Sequence, residues 1–249
     1  MSALPLTGKS ALVTGGARRI GRAIALALAQ AGADVAITFR TSQEAAAEAV
    51  AASMALGRSA LAIPCDVRSE PEVREAIRQT VATFGRLDIL VNNAAFFETA
   101  PLESLTLERW DAVFETNVRG PFLVSREALP HLRRTQGRIV HIGSLGGEHA
   151  WTGHAHYAAS KAALHSLTRS MAKAFAPEVT VNCVAPGWID LGEDRREDEA
   201  ANAGRFAERT PMRRNGTEDD VAQSVLFFAT GPSFITGQIL TVDGGLGLV

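Results

Sequence analysis

Short apolar runs alternate with longer helical patterns along almost the whole chain. The runs are typical of strands, and their nearly continuous apolar character indicates burial on both faces of a sheet. They lie at 10–14 (SALVT), 34–39 (DVAITF), 59–65 (SALAIPC), 87–92 (LDILVN), 137–143 (GRIVHIG), 179–185 (VTVNCVA) and 238–244 (QILTVDG). This alternation predicts an α/β fold in which a doubly wound parallel sheet of about seven strands carries helices on both faces.

The helical stretches between the runs are amphipathic. In the stretch at 18–32 an apolar stripe recurs at helical spacing, and we expect the helix to end at Gly32, just past the last periodic residue. No Pro- or Ser-rich linker interrupts the chain. We therefore expect a single domain over residues 1–249.

One segment, 188–216, breaks the rhythm because it is long, charged and weakly apolar. It follows the end of a predicted strand, so we interpret it as a substrate loop, which is either a mobile lid or a solvated loop. Its charge run EDRREDE, at 193–199, is typical of an exposed helical face.

Composition narrows the classes of function. The 249 residues are 46% hydrophobic, enough for a sizeable core, and the formal net charge of -2 points neither to nucleic acid nor to an anionic membrane surface. Cys65 and Cys183 are the only cysteines, which suits a reducing compartment. We recognise no signal peptide and no apolar run of ~18 residues, so we expect a cytoplasmic protein without a membrane span.

A glycine-rich turn, VTGGARRIGRA at 13–23, follows the first predicted strand and begins the first helix. In that position glycines let the backbone approach a pyrophosphate closely, and the phosphate charge suits a helix N-terminus. The pattern alone is weak, but its place at the first strand–turn–helix of an alternating chain strengthens it. It predicts a Rossmann-type dinucleotide-binding domain with Gly15 and Gly21 in the turn.

The residues after the second predicted strand bear on the choice between NAD and NADP. A carboxylate there would hold the ribose hydroxyls of NAD, whereas a basic residue would accommodate the 2′-phosphate of NADP. Arg40, Thr41 and Ser42 occupy this place, and Arg18 and Arg19 add positive charge in the glycine turn. The alternative is that Arg40 is an ordinary surface arginine. We expect NADP(H) as the cofactor.

The pentapeptide YAASK, at 157–161, contains two groups capable of proton chemistry. Tyr157 and Lys161 are four residues apart, so on a helix they share a face. A tyrosine normally titrates near pH ~10, and a nearby ammonium would lower that pKa by favouring the phenolate. The two residues are either a tuned catalytic pair or ordinary members of an amphipathic helix.

The order of several motifs bears on this choice. TGGARRIG (14–21), CDV (65–67), NNAA (92–95), NVRG (117–120), YAASK and APG (185–187) occur in the order found in short-chain dehydrogenases/reductases, and TGQILTVDGG (236–245) follows them. The chain resembles that family over essentially its whole length. The resemblance implies an oxidoreductase that transfers a hydride between nicotinamide and a carbonyl or alcohol.

The resemblance further implies a catalytic tetrad of Asn117, Ser144, Tyr157 and Lys161, with Ser144 at the family's spacing before the tyrosine. Tyr157 would supply a proton to the carbonyl oxygen, and Ser144 would hold that oxygen by a hydrogen bond. Lys161 would lower the pKa of Tyr157 and hold the nicotinamide ribose. Asn117 would link the lysine to a proton relay.

The same resemblance implies the other cofactor contacts. Ile20, beside the turn, would contact the pyrophosphate, and Asp66 and Val67 would lie at the adenine. Asn93 and Ala94 would lie near the adenosine ribose. The nicotinamide would be contacted by Pro186, Gly187 and Ile189.

Three residues depart from the family's pattern. Arg19 stands at the middle glycine of TGxxxGxG, which leaves the backbone path over the phosphates open. Ala95 replaces the last glycine of NNAG. Asp190 stands where many members have a threonine, and an ionised aspartate accepts hydrogen bonds but donates none.

The predicted substrate pocket contains Phe97, Trp151, His154 and Trp188. The wider pattern is most similar to 3-oxoacyl-carrier-protein reductases, which implies reduction of such a ketone or a related one. Arg19 and Phe97 also resemble features of pteridine reductases, our alternative, although that branch has an aspartate at the position of Ser144. Packing beneath the loop is the other explanation for Phe97.

Other functions and assemblies follow less directly from the sequence. A dinucleotide-binding redox sensor would lack Tyr157 or Lys161, and both are present. The histidines at 149, 154 and 156 have no accompanying carboxylate or cysteine spacing, so we expect no metal site. The resemblance implies a homotetramer that acts on a small molecule, and the apolar terminus GGLGLV would suit a subunit contact.

Overall fold

The strands form from the apolar runs, and the helices form from the amphipathic stretches between them. In the computed structural model, which describes residues 4–192 and 197–249, the strands are β1 (Ser10–Val13), β2 (Asp34–Phe39), β3 (Ala60–Pro64), β4 (Ile89–Asn92), β5 (Arg138–Ile142), β6 (Thr180–Pro186), β7 (Ile189–Asp190), β8 (Gly216–Thr217) and β9 (Ile239–Val242). The helices are α1 (Arg19–Gln30), α2 (Gln43–Ala55), α3 (Glu70–Phe84), α4 (Leu107–Phe114), α5 (Gly120–Thr135), α6 (Ala155–Phe175), α7 (Glu197–Arg209) and α8 (Glu218–Thr230).

Seven strands form one parallel sheet in the order β3–β2–β1–β4–β5–β6–β9. In its register, Leu12 lies beside Ala36 of β2 on one side and beside Leu90 of β4 on the other. The direction of winding reverses between β1 and β4. In sheets of this kind, ligands bind beyond the carboxyl ends of the strands at that reversal.

Alternate residues of each strand pack on opposite layers of helices. Ala11 and Val13 face α1, α2 and α8, whereas Leu12 faces α3, α5 and α6, and all three side chains are buried. Burial on both faces explains the continuous apolar runs. The predicted fold class, a Rossmann-type doubly wound sheet with helices on both faces, is confirmed, and each of the seven predicted runs overlaps one strand of the sheet.

The predicted end of the first helix is also correct. α1 stops at Gln30, and Gly32 follows with φ +106°, a left-handed conformation in which a side chain is strained.

The 188–216 segment contains more regular structure than a loop. β7 and α7 lie within it, and β8 at its end pairs with β7 in a separate two-stranded parallel sheet. Residues 193–196 of the charge run EDRREDE, and the side chains of its other three residues, lie outside the described part of the structure.

Both cysteines, Cys65 and Cys183, are buried free thiols. Among the helices of the described ranges, none combines the length and the apolar character needed to cross a bilayer.

Candidate active site

A cavity of about 660 Å³ opens beyond the carboxyl ends of the central strands. Apart from Asn117, every residue predicted for the site lines it. These are Gly15, Arg18, Arg19, Ile20, Gly21, Arg40, Thr41, Ser42, Asp66, Val67, Asn93, Ala94, Phe97, Ser144, Trp151, His154, Tyr157, Lys161, Pro186, Gly187, Trp188 and Ile189. The fold therefore brings together residues that the sequence spreads over about 175 positions.

The glycine turn between β1 and α1 is tightly closed. Gly15 has φ +63°, and a side chain at Gly21 would place its Cβ 2.3 Å from the carbonyl oxygen of Gly15. The Asn93 Nδ2 atom donates hydrogen bonds to the carbonyl oxygens of Thr14 (2.9 Å) and Gly15 (3.0 Å), so the end of β4 braces the turn. Only glycine at position 21 allows the backbone to pass this closely.

Arg19 keeps the backbone path of the glycine that it replaces. Its φ is +51°, in the left-handed region that glycine enters without strain. A side chain in that region costs about 1–2 kcal/mol. The departure from the family's pattern therefore changes the side chain at this position and preserves the shape of the turn.

The turn fits a dinucleotide pyrophosphate. Arg18 precedes α1 without capping it through its side chain, and the first turn of α1 contains no acidic residue. The N–H groups at this helix end and the cations Arg18 and Arg19 beside the cavity suit an anionic ligand.

Arg40 lies just beyond the end of β2, is exposed, and lines the cavity together with Thr41 and Ser42. Asp66 is bound by Arg68, whose Nε donates to both carboxylate oxygens at 3.0 Å, and this pairing lowers the pKa of Asp66. Arg40 also lowers that pKa through its charge. Since Arg68 already neutralises Asp66, Arg40 remains a cation suited to a phosphate.

Ser144 and Tyr157 meet at the base of the cavity. Ser144 follows β5, and its Oγ accepts a hydrogen bond from the N–H of Gly146 (3.0 Å). Tyr157 lies in the first turn of α6, and the Ser144 side chain acts on its hydroxyl through a hydrogen-bonding interaction that lowers the tyrosine pKa. The predicted spacing therefore brings the two side chains together in the cavity.

The pKa of Tyr157 differs from the sequence-based expectation. Burial raises this pKa, while the hydrogen bond with Ser144 lowers it and offsets part of the effect. The prediction that Lys161 lowers the pKa is wrong for this structure, because burial dominates and the lysine Nζ is directed to a carbonyl oxygen instead. The raised pKa keeps the hydroxyl protonated at neutral pH.

This pKa can be measured directly, because Tyr157 is the only tyrosine in the chain. We expect phenolate absorbance to appear with a midpoint above the ordinary value of 10.0. Ser144→Ala should move the midpoint higher still, since it removes the hydrogen bond that favours the phenolate. A midpoint below the ordinary value in the protein without cofactor would contradict this account.

Lys161 is buried one turn after Tyr157. Its Nζ donates to the carbonyl oxygen of Ile142 at the end of β5 (2.8 Å) and lies 5.6 Å from the centre of the Tyr157 ring. Desolvation lowers the pKa of Lys161 to about 8. The ammonium is thus held at the cavity wall at an energetic cost, which is common where a charge has a functional role.

Asn117 stands behind the cavity wall, in the π-helical turn Glu115–Arg119 between α4 and α5. Its Oδ1 accepts from the N–H of Phe96 (2.7 Å), and its Nδ2 donates to the Phe96 carbonyl (2.9 Å) and to Ser160 Oγ (3.0 Å). These bonds fasten the loop after β4 to α6. π-Helical turns often mark functional positions.

Aromatic side chains surround the other end of the cavity. Phe97 packs edge-on against Tyr157, with ring centres 4.8 Å apart, and stacks on His154 at 5.2 Å. Phe206 of α7 stacks on Trp188 at 3.9 Å and contacts Trp151 at 5.6 Å. The four residues predicted for the substrate pocket are therefore all at one end of the cavity.

The other two departures from the family's pattern, Asp190 and Ala95, fit their surroundings. Asp190 accepts a hydrogen bond from the N–H of Gly192 (3.0 Å) through Oδ1. Ala95, at the end of NNAA, is exposed at the cavity, so its methyl group is accommodated without displacing the core.

Comparison with known proteins agrees with this geometry. The family model described as enoyl-(acyl carrier protein) reductase matches residues 15–247. A solved short-chain dehydrogenase/reductase from Serratia marcescens is 40% identical, with a TM-score of 0.90, and the alignment covers 98% of this chain and 99% of that one. The chain belongs to the short-chain dehydrogenase/reductase family. It is an oxidoreductase of this family, as the sequence predicts.

Two further members of the family show what similar chains do. A 3-oxoacyl-[acyl-carrier-protein] reductase from Synechocystis is 40% identical over 245 residues, which are 97% of this chain and 98% of that protein. A short-chain dehydrogenase from Burkholderia cenocepacia, solved in complex with NADP, is 44% identical with a TM-score of 0.90, over 97% of this chain and 99% of that one.

Sequence reasoning missed several residues that line the cavity of this short-chain dehydrogenase/reductase, and two of them, Phe206 and Leu246, come from its C-terminal part. Phe206 comes from α7, and Leu246 comes from the 3₁₀ turn near the C-terminus. The turn is held by Asp243, whose carboxylate accepts from the N–H groups of Gly245 and Gly247, and by His149, whose Nε2 lies 2.9 Å from the Gly247 carbonyl. The aromatic residue at 206 was the available signal.

Proposed function

We propose that this short-chain dehydrogenase/reductase interconverts a ketone and its secondary alcohol with NADP(H), and that Tyr157 provides the proton. The observation that carries the proposal is the meeting of Ser144, Tyr157 and Lys161 in the same cavity as the glycine turn. The functional unit is the single NAD(P)-binding domain of residues 1–249, with 188–216 as its substrate loop.

The cofactor would lie along the carboxyl ends of the strands. Gly15, Arg18, Arg19, Ile20 and Gly21 would hold the pyrophosphate. The 2′-phosphate would be held by Arg40, Thr41 and Ser42. The adenosine would lie beside Asp66, Val67, Asn93 and Ala94. The nicotinamide end would contact Pro186, Gly187, Ile189 and Lys161. NADP(H) supplies or accepts the hydride when bound.

The protein's own side chains would transfer the proton and hold the carbonyl oxygen that receives it. The hydroxyl of Tyr157 donates to the carbonyl oxygen during reduction, and Ser144 holds that oxygen by a hydrogen bond. The ammonium of Lys161, held at the cavity wall beside Tyr157, would hold the nicotinamide ribose. Asn117 positions Tyr157 indirectly, because Ser160, which it binds, donates to the Tyr157 carbonyl (2.7 Å).

The substrate is a ketone of the kind that 3-oxoacyl-carrier-protein reductases reduce, as the name of the Synechocystis relative suggests. The names of the relatives do not favour the pteridine-reductase alternative. We expect purified protein to oxidise NADPH when given a 3-oxoester such as ethyl acetoacetate. Absence of turnover across a panel of 3-oxoesters, other ketones and 3-oxoacyl thioesters would contradict the proposed function.

The proposed cofactor preference depends on Arg40. We expect Arg40→Ala to lower the ratio of kcat/KM with NADPH to that with NADH by about tenfold or more, because removal of a charge-assisted phosphate contact typically costs 1.5–3 kcal/mol. Arg134→Ala, at an exposed arginine of α5, is the matched control and should leave the ratio unchanged. An unchanged ratio in Arg40→Ala would refute the role assigned to this residue.

A homotetramer is the proposed assembly. β9 is an edge strand of the sheet, and Leu240 on it, together with Phe227 and Phe234 nearby in sequence, is exposed. Exposed apolar side chains on an edge strand, on α8 and on the segment between them suit burial against another copy. Gel filtration with light scattering should give four times the 26.4 kDa monomer mass, and a monomer mass would exclude the tetramer.

A cytoplasmic location completes the proposal. It is supported by the two buried thiols, which remain unpaired in the structure, as is usual in a reducing compartment.

A further inference from the structure

The aromatic end of the cavity is assembled from four parts of the chain. Phe97 comes from the loop after β4, Trp151 and Tyr157 from the start of α6 and the loop before it, Trp188 from the link between β6 and β7, and Phe206 from α7. The rings contact one another in two groups, Phe97 with Tyr157 and Phe206 with both tryptophans. These mutual contacts fix the rings before any substrate arrives.

Charge is distributed unevenly along the cavity. Among the lining residues that the structure describes, the nucleotide region contains Arg18, Arg19, Arg40 and Asp66. Lys161 is the charged residue at the bottom of the cavity, beside Tyr157. Within the described ranges, the aromatic end contains His154 but no arginine or lysine that would bind a carboxylate or phosphate on the substrate. A neutral apolar group suits it.

We propose that this enzyme prefers ketones with an aryl ring directly attached to the reacting carbonyl. This inference rests on the proposed ketone reduction and specifies its substrate class. A carbonyl oxygen at the Tyr157 hydroxyl places its substituents beside Phe97, whose ring centre is 4.8 Å from that of Tyr157. An aryl substituent can stack there or against the Trp188–Phe206 pair, whereas a methyl or flexible alkyl substituent makes smaller contacts.

Rigidity adds to this preference. An aryl ketone loses few rotatable bonds on binding, while a long acyl chain has to be ordered bond by bond. The preformed ring contacts favour the rigid ligand because neither partner has to give up much conformational freedom.

The test compares two 3-oxoesters that differ only in this substituent, ethyl benzoylacetate and ethyl acetoacetate. We expect wild type to have the higher kcat/KM for the benzoyl compound. In Phe97→Leu and Phe206→Leu the ratio of the two kcat/KM values should fall about tenfold, as expected for loss of an aromatic pair and its buried area. Comparing ratios between variants cancels the different intrinsic reactivity of the two ketones.

Phe122→Leu is the matched control, since Phe122 is exposed on α5 and is not among the cavity-lining residues. It should keep the wild-type ratio. A wild-type preference for ethyl acetoacetate, or a ratio that neither cavity variant changes, would overturn the inference while leaving ketone reduction intact.

A binding measurement tests the preference for an aryl ketone independently of turnover. Trp151 and Trp188, two of the three tryptophans, line the cavity, so a bound aryl ketone should quench tryptophan fluorescence saturably. In Tyr157→Phe, which should turn over at least about 10²-fold more slowly than wild type, we expect saturable quenching by ethyl benzoylacetate and a weaker affinity once Phe206→Leu is added. Equal affinity for both oxoesters would refute the aryl preference, whether or not either ester is reduced. Failure to reduce either ester would count against the proposed reaction and not against the aryl preference.

Discussion

The Tyr157→Phe variant is expected to lose about 10²–10⁴-fold in kcat/KM for ketone reduction, the usual contribution of a positioned proton donor. The change removes one oxygen atom and keeps the ring that packs edge-on against Phe97. The lost hydroxyl also leaves Ser144 without its partner, but Ser144 still accepts a hydrogen bond from Gly146. The site should therefore keep its shape and lose its proton donor.

The measurement is steady-state reduction of a 3-oxoester with NADPH, accompanied by thermal unfolding and NADPH binding. Unfolding temperature and NADPH affinity should remain close to those of wild type. Full activity in the folded variant would mean that the proton comes from another group.

Lys161→Met is expected to lower kcat/KM by about 10²-fold or more, because the nicotinamide end of the cavity loses its cation. Its effect on stability should be small by comparison. Holding the ammonium in the fold costs about 3 kcal/mol at neutral pH, from the fall in pKa to about 8. The hydrogen bond to the Ile142 carbonyl offsets part of that cost, so we expect the free energy of unfolding to change by less than about 2 kcal/mol.

The pH dependence of stability provides a second measurement on the same variant. The folded protein releases the Lys161 proton near pH 8 and the unfolded chain near pH 10.5, so between these values the unfolded state binds more protons. The cost of burying the charge is fully present below pH 8 and is relieved as the pH rises. Wild type should therefore gain stability relative to Lys161→Met between about pH 8 and 10.5. Parallel curves would show that this lysine titrates normally.

Much of the fold could be predicted from sequence because each buried strand is a continuous apolar run. β1 and β6 are buried on both faces, and no polar position interrupts the pattern of β1 other than Ser10 at its start. The cofactor region could be predicted for a related reason. Its glycine turn and Arg40 each lie at a strand end, and parallel strands bring such ends to one edge.

The remainder depends on contacts that sequence does not encode locally. Phe206 lies in a charged segment where a lone aromatic residue resembles a surface position, and its role follows from stacking on Trp188. Asn117 was expected to work with Lys161, yet its hydrogen bonds go to Phe96 and Ser160. The pKa of Tyr157 depends on how deeply the side chain is buried, which residue spacing cannot report.

The most direct test of hydride transfer in this cavity uses NADPH deuterated at the nicotinamide C4 position. Each of the two C4 diastereomers is supplied separately with ethyl benzoylacetate, and the alcohol product is examined by mass spectrometry. We predict that one diastereomer places deuterium on the carbinol carbon and that the other places none. Alcohol that forms without deuterium from either diastereomer would contradict direct hydride transfer from the cofactor to the ketone.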